Sequence, residues 1–179
     1  GDSGVRVRTS SDPTGNATSE LELSILDCLI AGNGGDGVSV AVGASARGTQ
    51  RVHVALVGST VESNEGSGVS VEYPGVWEEF FGNQIKFNGI GLSTDRGMGE
   101  LLVGNDFELN NVHLRNLGSS PLLANGNYWG VATTAALEAG ETSESLDVFA
   151  GPIEITDWAT SSVLEPVEPP PSPIVWDRP

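Results

Sequence analysis

Residues able to move protons or hold metals are sparse in this chain and do not converge. His53 and His113 are its two histidines. Each sits between apolar neighbours, Val52 and Val54 or Val112 and Leu114, so strand alternation directs both rings outward. A zinc site or a Ser-His-Asp arrangement needs ligands that meet at one point, and the two histidines fall in different registers of the chain. Glycoside hydrolysis needs two opposed carboxylates. The nearest such pair is Glu78 and Glu79, and two consecutive residues on a loop are weak support for it. Cys28 is the single cysteine, so no internal disulfide forms; on an apparent strand it reads as a small buried apolar side chain. No catalytic residue, metal site or cofactor is expected.

Candidates for recognition are richer. Irregular stretches at residues 9–20, 41–50, 72–81 and 93–100 follow each Val-x-Val segment, and loops on one face of a repeat scaffold commonly build binding surfaces. Arg47, Arg51 and Arg96, with Arg8 and Arg115, fall in or beside them, as do Glu72, Glu78, Glu79, Asp95 and Glu100. This mixture fits a shallow groove for an acidic glycan, or salt bridges between stacked loops. Tyr73, Trp77, Phe80 and Phe81 offer sugar rings a stacking platform. Equally, they could bury against the flank of the fold or against a partner.

The elements that carry these residues repeat. Residues 21–40 lie over residues 52–71 without a gap, at an offset of 31, with Leu21/Val52, Ile25/Leu56, Ile30/Val61 and Val38/Val69 in phase. Residues 82–94 lie over residues 104–116 at an offset of 22, and the Gly-Asn pair returns at Gly126-Asn127. Apolar and polar residues alternate within each unit, as in Val-Ser-Val or Ile-Lys-Phe, which is a strand pattern. Short strands in units of this length, with no helix between them, coil and stack on their equivalents around one continuous core. The expected class is all-β: a right-handed parallel β-helix (solenoid) of about five coils, with a C-terminal cap and a Pro-rich tail. Asn33, Asn64, Asn88 and Asn110 recur at one corner, where Asn tolerates a left-handed backbone and can form a hydrogen-bonded ladder along the stack. The glycines of Gly-x-Gly-Val are expected to serve the next corner in the same way.

The unit I-x-x-N-x-G-x-G-V-x-V resembles the parallel β-helix repeats of the pectin-lyase-like superfamily, over residues 1–158. The run Asn127-Tyr128-Trp129-Gly130, an Ala-rich stretch and an extended segment reaching Trp158 are similar to the N-x-W-W-G closing segment of many bacterial secreted β-helix proteins. Tyr128 stands in place of the first Trp. The resemblance implies that Asn127, Tyr128, Trp129 and Trp158 close the C-terminal end, with a short helix over residues 133–140. The superfamily's catalytic patterns are missing: there is no Asp-Pro-His-Asp, because Asp12-Pro13 is followed by Thr14, and no His-Gly with Arg-x-Lys.

Residues 2–7 match the second half of a unit, so preceding coils of the parent chain, or another subunit, are expected to cover the Gly1 end. Residues 1–160 are read as the β-helix with its cap, and residues 161–179 as the tail. There Glu165-Pro166-Val167 leads into Pro169-Pro170-Pro171, which cannot extend a sheet. The net charge of −16, with Lys86 the single lysine, excludes nucleic acid as a partner. No apolar run is long enough for membrane insertion. The function expected is a non-catalytic extracellular or cell-surface module of a bacterium, structural or adhesive, within a larger polypeptide or fibre. Two alternatives stand beside it: the C-terminal part of a polysaccharide-active enzyme with its catalytic coils upstream, and a glycan-binding module.

Overall fold

A computed structural model of the chain describes residues 2–9, 19–42, 50–72, 75–95 and 102–164. Among these residues the alternating segments form strands β1 (Val5–Thr9), β2 (Ser19–Leu26), β3 (Leu29–Ala31), β4 (Val38–Val42), β5 (Gln50–Val57), β6 (Thr60–Glu62), β7 (Ser67–Val71) and β8 (Gly75–Phe81). They continue as β9 (Gln84–Lys86), β10 (Ile90–Thr94), β11 (Asp106–Glu108), β12 (Val112–Asn116), β13 (Leu122–Leu123), helix α1 (Gly130–Glu138), β14 (Phe149–Ala150) and β15 (Ile153–Glu154). The class is all-β with one short helix among the described residues. That helix starts at Gly130, three residues before the expected position.

Every pairing between these strands is parallel. The six-stranded sheet runs β1-β4-β7-β10-β12-β14, the four-stranded sheet β3-β6-β9-β11, and the three-stranded sheet β2-β5-β8; β13 and β15 form a pair. Strands consecutive in the chain enter different sheets. From β1 to β9 the chain visits the six-, three- and four-stranded sheets in that order, three times over. Register follows the internal repeat: Leu21 pairs with Val52 and Val38 with Val69, while Gln84 pairs with Asp106 and Ile90 with Val112. Equivalent apolar residues therefore stack, and Ile30, Val61, Ile85 and Phe107 form one buried column. Trp129, fully buried, stacks on Phe107 at 5.2 Å between centroids and meets Phe149 edge-on at 5.1 Å, continuing that core under α1.

Two corners turn the chain between sheets, and each places one left-handed residue just before a polar rung. At the first corner Asp27, Gly58, Gly82, Gly104 and Gly126 have φ between 49 and 69° and precede Cys28, Ser59, Asn83, Asn105 and Asn127. At the second, Gly32, Ser63, Phe87 and Leu109 precede Asn33, Asn64, Asn88 and Asn110. The left-handed residue is thus the one before each Asn, which corrects the expectation that the Asn itself adopts that conformation. Cys28 lies at this corner, exposed, and not buried on a strand.

The Asn side chains hydrogen-bond along the stack. Asn33 Nδ2 donates to Asn64 Oδ1 at 2.8 Å, Asn64 to Asn88 at 2.8 Å, and Asn88 to Asn110 at 3.1 Å. The backbone N–H of each donor Asn reaches the same oxygen. At the first corner Asn83 donates to Asn105 at 3.0 Å and Asn105 to Asn127 at 3.2 Å. Ser59 N–H reaches Asn83 Oδ1, and Cys28 N–H reaches Ser59 Oγ.

The repeated glycines after the second ladder have a different cause from the one expected. Gly37, Gly68 and Gly91 are not in the left-handed region, so freedom of φ is not what they supply. Stacked in register, they leave no room: a Cβ on Gly91 would lie 2.5 Å from the His113 carbonyl and 3.1 Å from Asn110 Nδ2. Gly91→Ala is expected to destabilise the fold by about 1–3 kcal/mol through overpacking. Gly104→Asn, at a left-handed position with nothing within 4 Å, should cost less than about 1 kcal/mol. Chemical denaturation of the two variants checks the contrast.

Candidate functional site

The outer face of the four-stranded sheet carries polar side chains stacked in register. Alternation in Gln84-Ile85-Lys86 and Asp106-Phe107-Glu108 buries the middle residue and turns the flanking pair outward. Parallel register then stacks Thr60, Gln84 and Asp106 in one column and Glu62, Lys86 and Glu108 in the next. Lys86 Nζ lies 3.4 Å from Glu62 Oε2 and donates to Gln84 Oε1 at 2.7 Å. Tyr128 bridges to Asp106 at the end of the first column. Its phenol is held above its usual pKa by burial, then by the charges of Glu108 and Asp106.

Asp106 is 1% exposed, because residues 162–164 cross over it. Its carboxylate accepts from Val163 N–H at 2.9 Å and closely from the Ser162 hydroxyl. Between this strap and the sheet runs a groove of about 660 Å³, lined by Ser59, Thr60, Gln84, Asp106, Glu108 and Val163. Hydroxyl, amide and carboxylate groups in rows at strand spacing, about 4.8 Å, suit the hydroxyls of an extended polar ligand. Asp106 and Glu108 lie side by side on one strand and do not oppose each other across a cleft, so they lack the arrangement that glycosidic cleavage needs. Among the described residues, no group of three or more His, Cys, Asp or Glu side chains could hold a metal ion. No helix among them is long and apolar enough to cross a membrane.

The residues singled out in the sequence are dispersed. Arg47, Tyr73 and Arg96 lie outside the described residues. Arg51 and Trp77 belong to β5 and β8, where their backbones pair with Glu20 and Val54. Phe80 is fully buried in the core, which removes it from any exposed platform, whereas Phe81 is exposed. Neighbours in sequence, they take opposite faces of β8. At the end with α1, Asn127 is buried and its Nδ2 donates to the carbonyls of Leu102, Ala124 and Asn125. Tyr128 is buried beside Trp129, and Trp158 packs, partly buried, against the core. Gln84, Lys86, Asp106 and Glu108 do not stand out in the sequence, yet their signal is present in the 22-residue offset that superposes Gln-Ile-Lys on Asp-Phe-Glu.

His113 departs most from expectation. It follows Gly37, Gly68 and Gly91 in the glycine column, and there its ring is 3% exposed instead of facing solvent. The ring packs near Trp129 and Phe149, with Nε2 3.2 Å from Thr133 Oγ1. At this level the neighbouring strand is β14, the His113 backbone N–H donates to the Val148 carbonyl, and Thr133 of α1 meets the ring. Compared with family models, curated proteins and solved structures, the chain matches none.

Burial lowers the His113 pKa from 6.5 to about 4, offset in part by a hydrogen bond with the Trp129 backbone. The unfolded chain therefore takes up a proton below pH 6.5 that the folded chain refuses until about pH 4. Stability should fall across that window as pH drops, by about 3 kcal/mol in all, since each pH unit between the two values contributes roughly 1.4 kcal/mol. Denaturation from pH 7 to 4 is expected to show this component in the native chain and to lose it in His113→Gln.

Proposed function

We propose that the parallel sheets are the faces of one right-handed parallel β-helix of about five coils, as in the pectin-lyase-like superfamily. Residues 126–158 then close one end, and the Pro-rich tail follows. The repeated visit to three sheets in one order, always in parallel, supports this reading; right-handed crossovers are the rule for parallel strands. We infer that the chain acts as a non-catalytic structural or adhesive module of a bacterial extracellular or cell-surface protein, within a larger polypeptide, fibre or assembly. The observation that carries the proposal is the use made of the buried amides. Asn64, Asn83, Asn88 and Asn105 are bonded along the stack, so these side chains hold layers together and present nothing to a ligand.

Such a stack has ends to cover. Among the described strands, β1, β2 and β3 each pair along one edge, all on the same side of the stack. Leu26 and Leu29 are 54% and 68% exposed at that level. An open strand edge beside exposed apolar residues is a surface for another strand; a neighbouring coil of the parent chain or another subunit is the partner of matching geometry. A second reading, binding of a neutral polysaccharide, draws on the groove beside Gln84 and Glu108. The enzyme alternative places a polysaccharide lyase, hydrolase or epimerase site in other coils of a parent protein.

Sedimentation over a range of concentrations tests the module reading. The chain should self-associate, and Leu26→Lys with Leu29→Lys should leave it monomeric. The control pair Leu117→Lys with Val131→Lys, more exposed in the native chain and remote from that edge, should behave like the native chain. A native chain that stays monomeric, while binding a neutral polysaccharide in a manner lost in Gln84→Ala, would favour the second reading.

A further inference from the structure

Two large apolar residues hold a backbone conformation that side chains rarely adopt. Phe87 (φ 57°) and Leu109 (φ 53°) make the turn that Gly32 and Ser63 make in earlier layers. Both are exposed, by 51% and 68%, so burial does not repay the strain. Glycine, used at the equivalent Gly32, would relieve the backbone and remove the exposed apolar surface together. Strained residues persist where function needs them, and apolar side chains left in water mark contact surfaces.

Leu109 leads into a pocket of about 420 Å³ beneath the start of α1. Val131, 78% exposed, Val148, Asn110, His113 and Trp129 complete its wall. One polar group there is buried without a hydrogen-bond partner: Trp129 Nε1, in a side chain 0% exposed. The helix opens on the same pocket with no side-chain cap and no acidic residue in its first turn, and first-turn amides have no acceptor within a helix. An apolar pocket with a few converging polar groups is the ordinary form of a small-molecule site.

We propose that this pocket binds a small uncharged molecule whose apolar body packs on Leu109, Val131 and Val148 and whose carbonyl or hydroxyl oxygen accepts from Trp129 Nε1–H. Charge selects against both kinds of ion. The positive end of α1 disfavours a cation, and Glu108 in the wall, on a chain of net charge −16, disfavours an anion. His113, whose pKa burial lowers to about 4, stays neutral near pH 7 and adds no charge of its own. The site shares Glu108 with the groove under residues 162–164 but none of its other lining residues, and its test does not depend on that surface or on assembly.

The test uses the full chain labelled with ¹⁵N and follows the Trp129 indole N–H resonance, assigned with Trp129→Phe. Acetanilide at millimolar concentration should shift it saturably, with benzoate and benzylammonium at least about tenfold weaker. Leu109→Gly should weaken acetanilide binding by about tenfold while the melting temperature holds or rises. Absence of a saturable shift, a shift unchanged in Leu109→Gly, or tighter binding of benzoate would overturn the proposal. So would a fall in the melting temperature of Leu109→Gly, because Leu109 would then be kept for stability.

Discussion

The structure depends on buried amides that are bonded at both ends. Asn88 Oδ1 accepts from the N–H and Nδ2 of Asn64, and its own Nδ2 donates to Asn110 Oδ1 and the Val61 carbonyl. A buried amide left half satisfied would cost about 1–3 kcal/mol, so each layer must stand at the right height and rotation to complete the next. That requirement explains the local chemistry of the corner. The residue before each rung turns left-handed to aim the amide along the stack, and the column of Gly37, Gly68 and Gly91 leaves it room. Exposed polar loops can vary around such a scaffold without disturbing it.

The two ladders end differently, and the difference shapes the surface. Asn127 directs its Nδ2 to the carbonyls of Leu102, Ala124 and Asn125, closing its column. Asn110 donates to the Ile85 carbonyl and lines the pocket under α1. There the chain leaves the strand path at Gly130 and enters the helix before β14 and β15 resume the parallel pairing on β12 and β13. His113 takes the position that glycine holds in the layers above, and its ring, with Trp129 and Phe149, fills the space between the last regular layer and α1.

Much of this is legible in the sequence because stacking preserves position. The offsets of 31 and 22 residues are the registers of Leu21 with Val52 and of Gln84 with Asp106, so matching residues by eye amounts to matching strands. Side-chain direction is less legible wherever alternation breaks at a corner. His113 sits next to a strand residue that points inward, yet it belongs to the glycine column and turns toward the core as well. The placement of the left-handed residue before each Asn is hidden too, since Phe87 and Leu109 are not residues that announce such a backbone. Nor does the sequence reveal the strap at Ser162 and Val163, because its partner Asp106 lies 56 residues away from Ser162 and shares no pattern with it.

The amide rungs are tested most directly by changing one amide to a carboxylate of the same shape. Asn88→Asp places an anion against Asn110 Oδ1 and the Val61 carbonyl in place of two donated hydrogen bonds. Asn111→Asp makes the same chemical change at an exposed residue. Urea denaturation at pH 7 is predicted to show a loss of at least about 3 kcal/mol for Asn88→Asp, as for an uncompensated buried charge, and less than about 0.5 kcal/mol for Asn111→Asp. Equal, small losses for both would contradict the claim that the side-chain ladder holds the layers together.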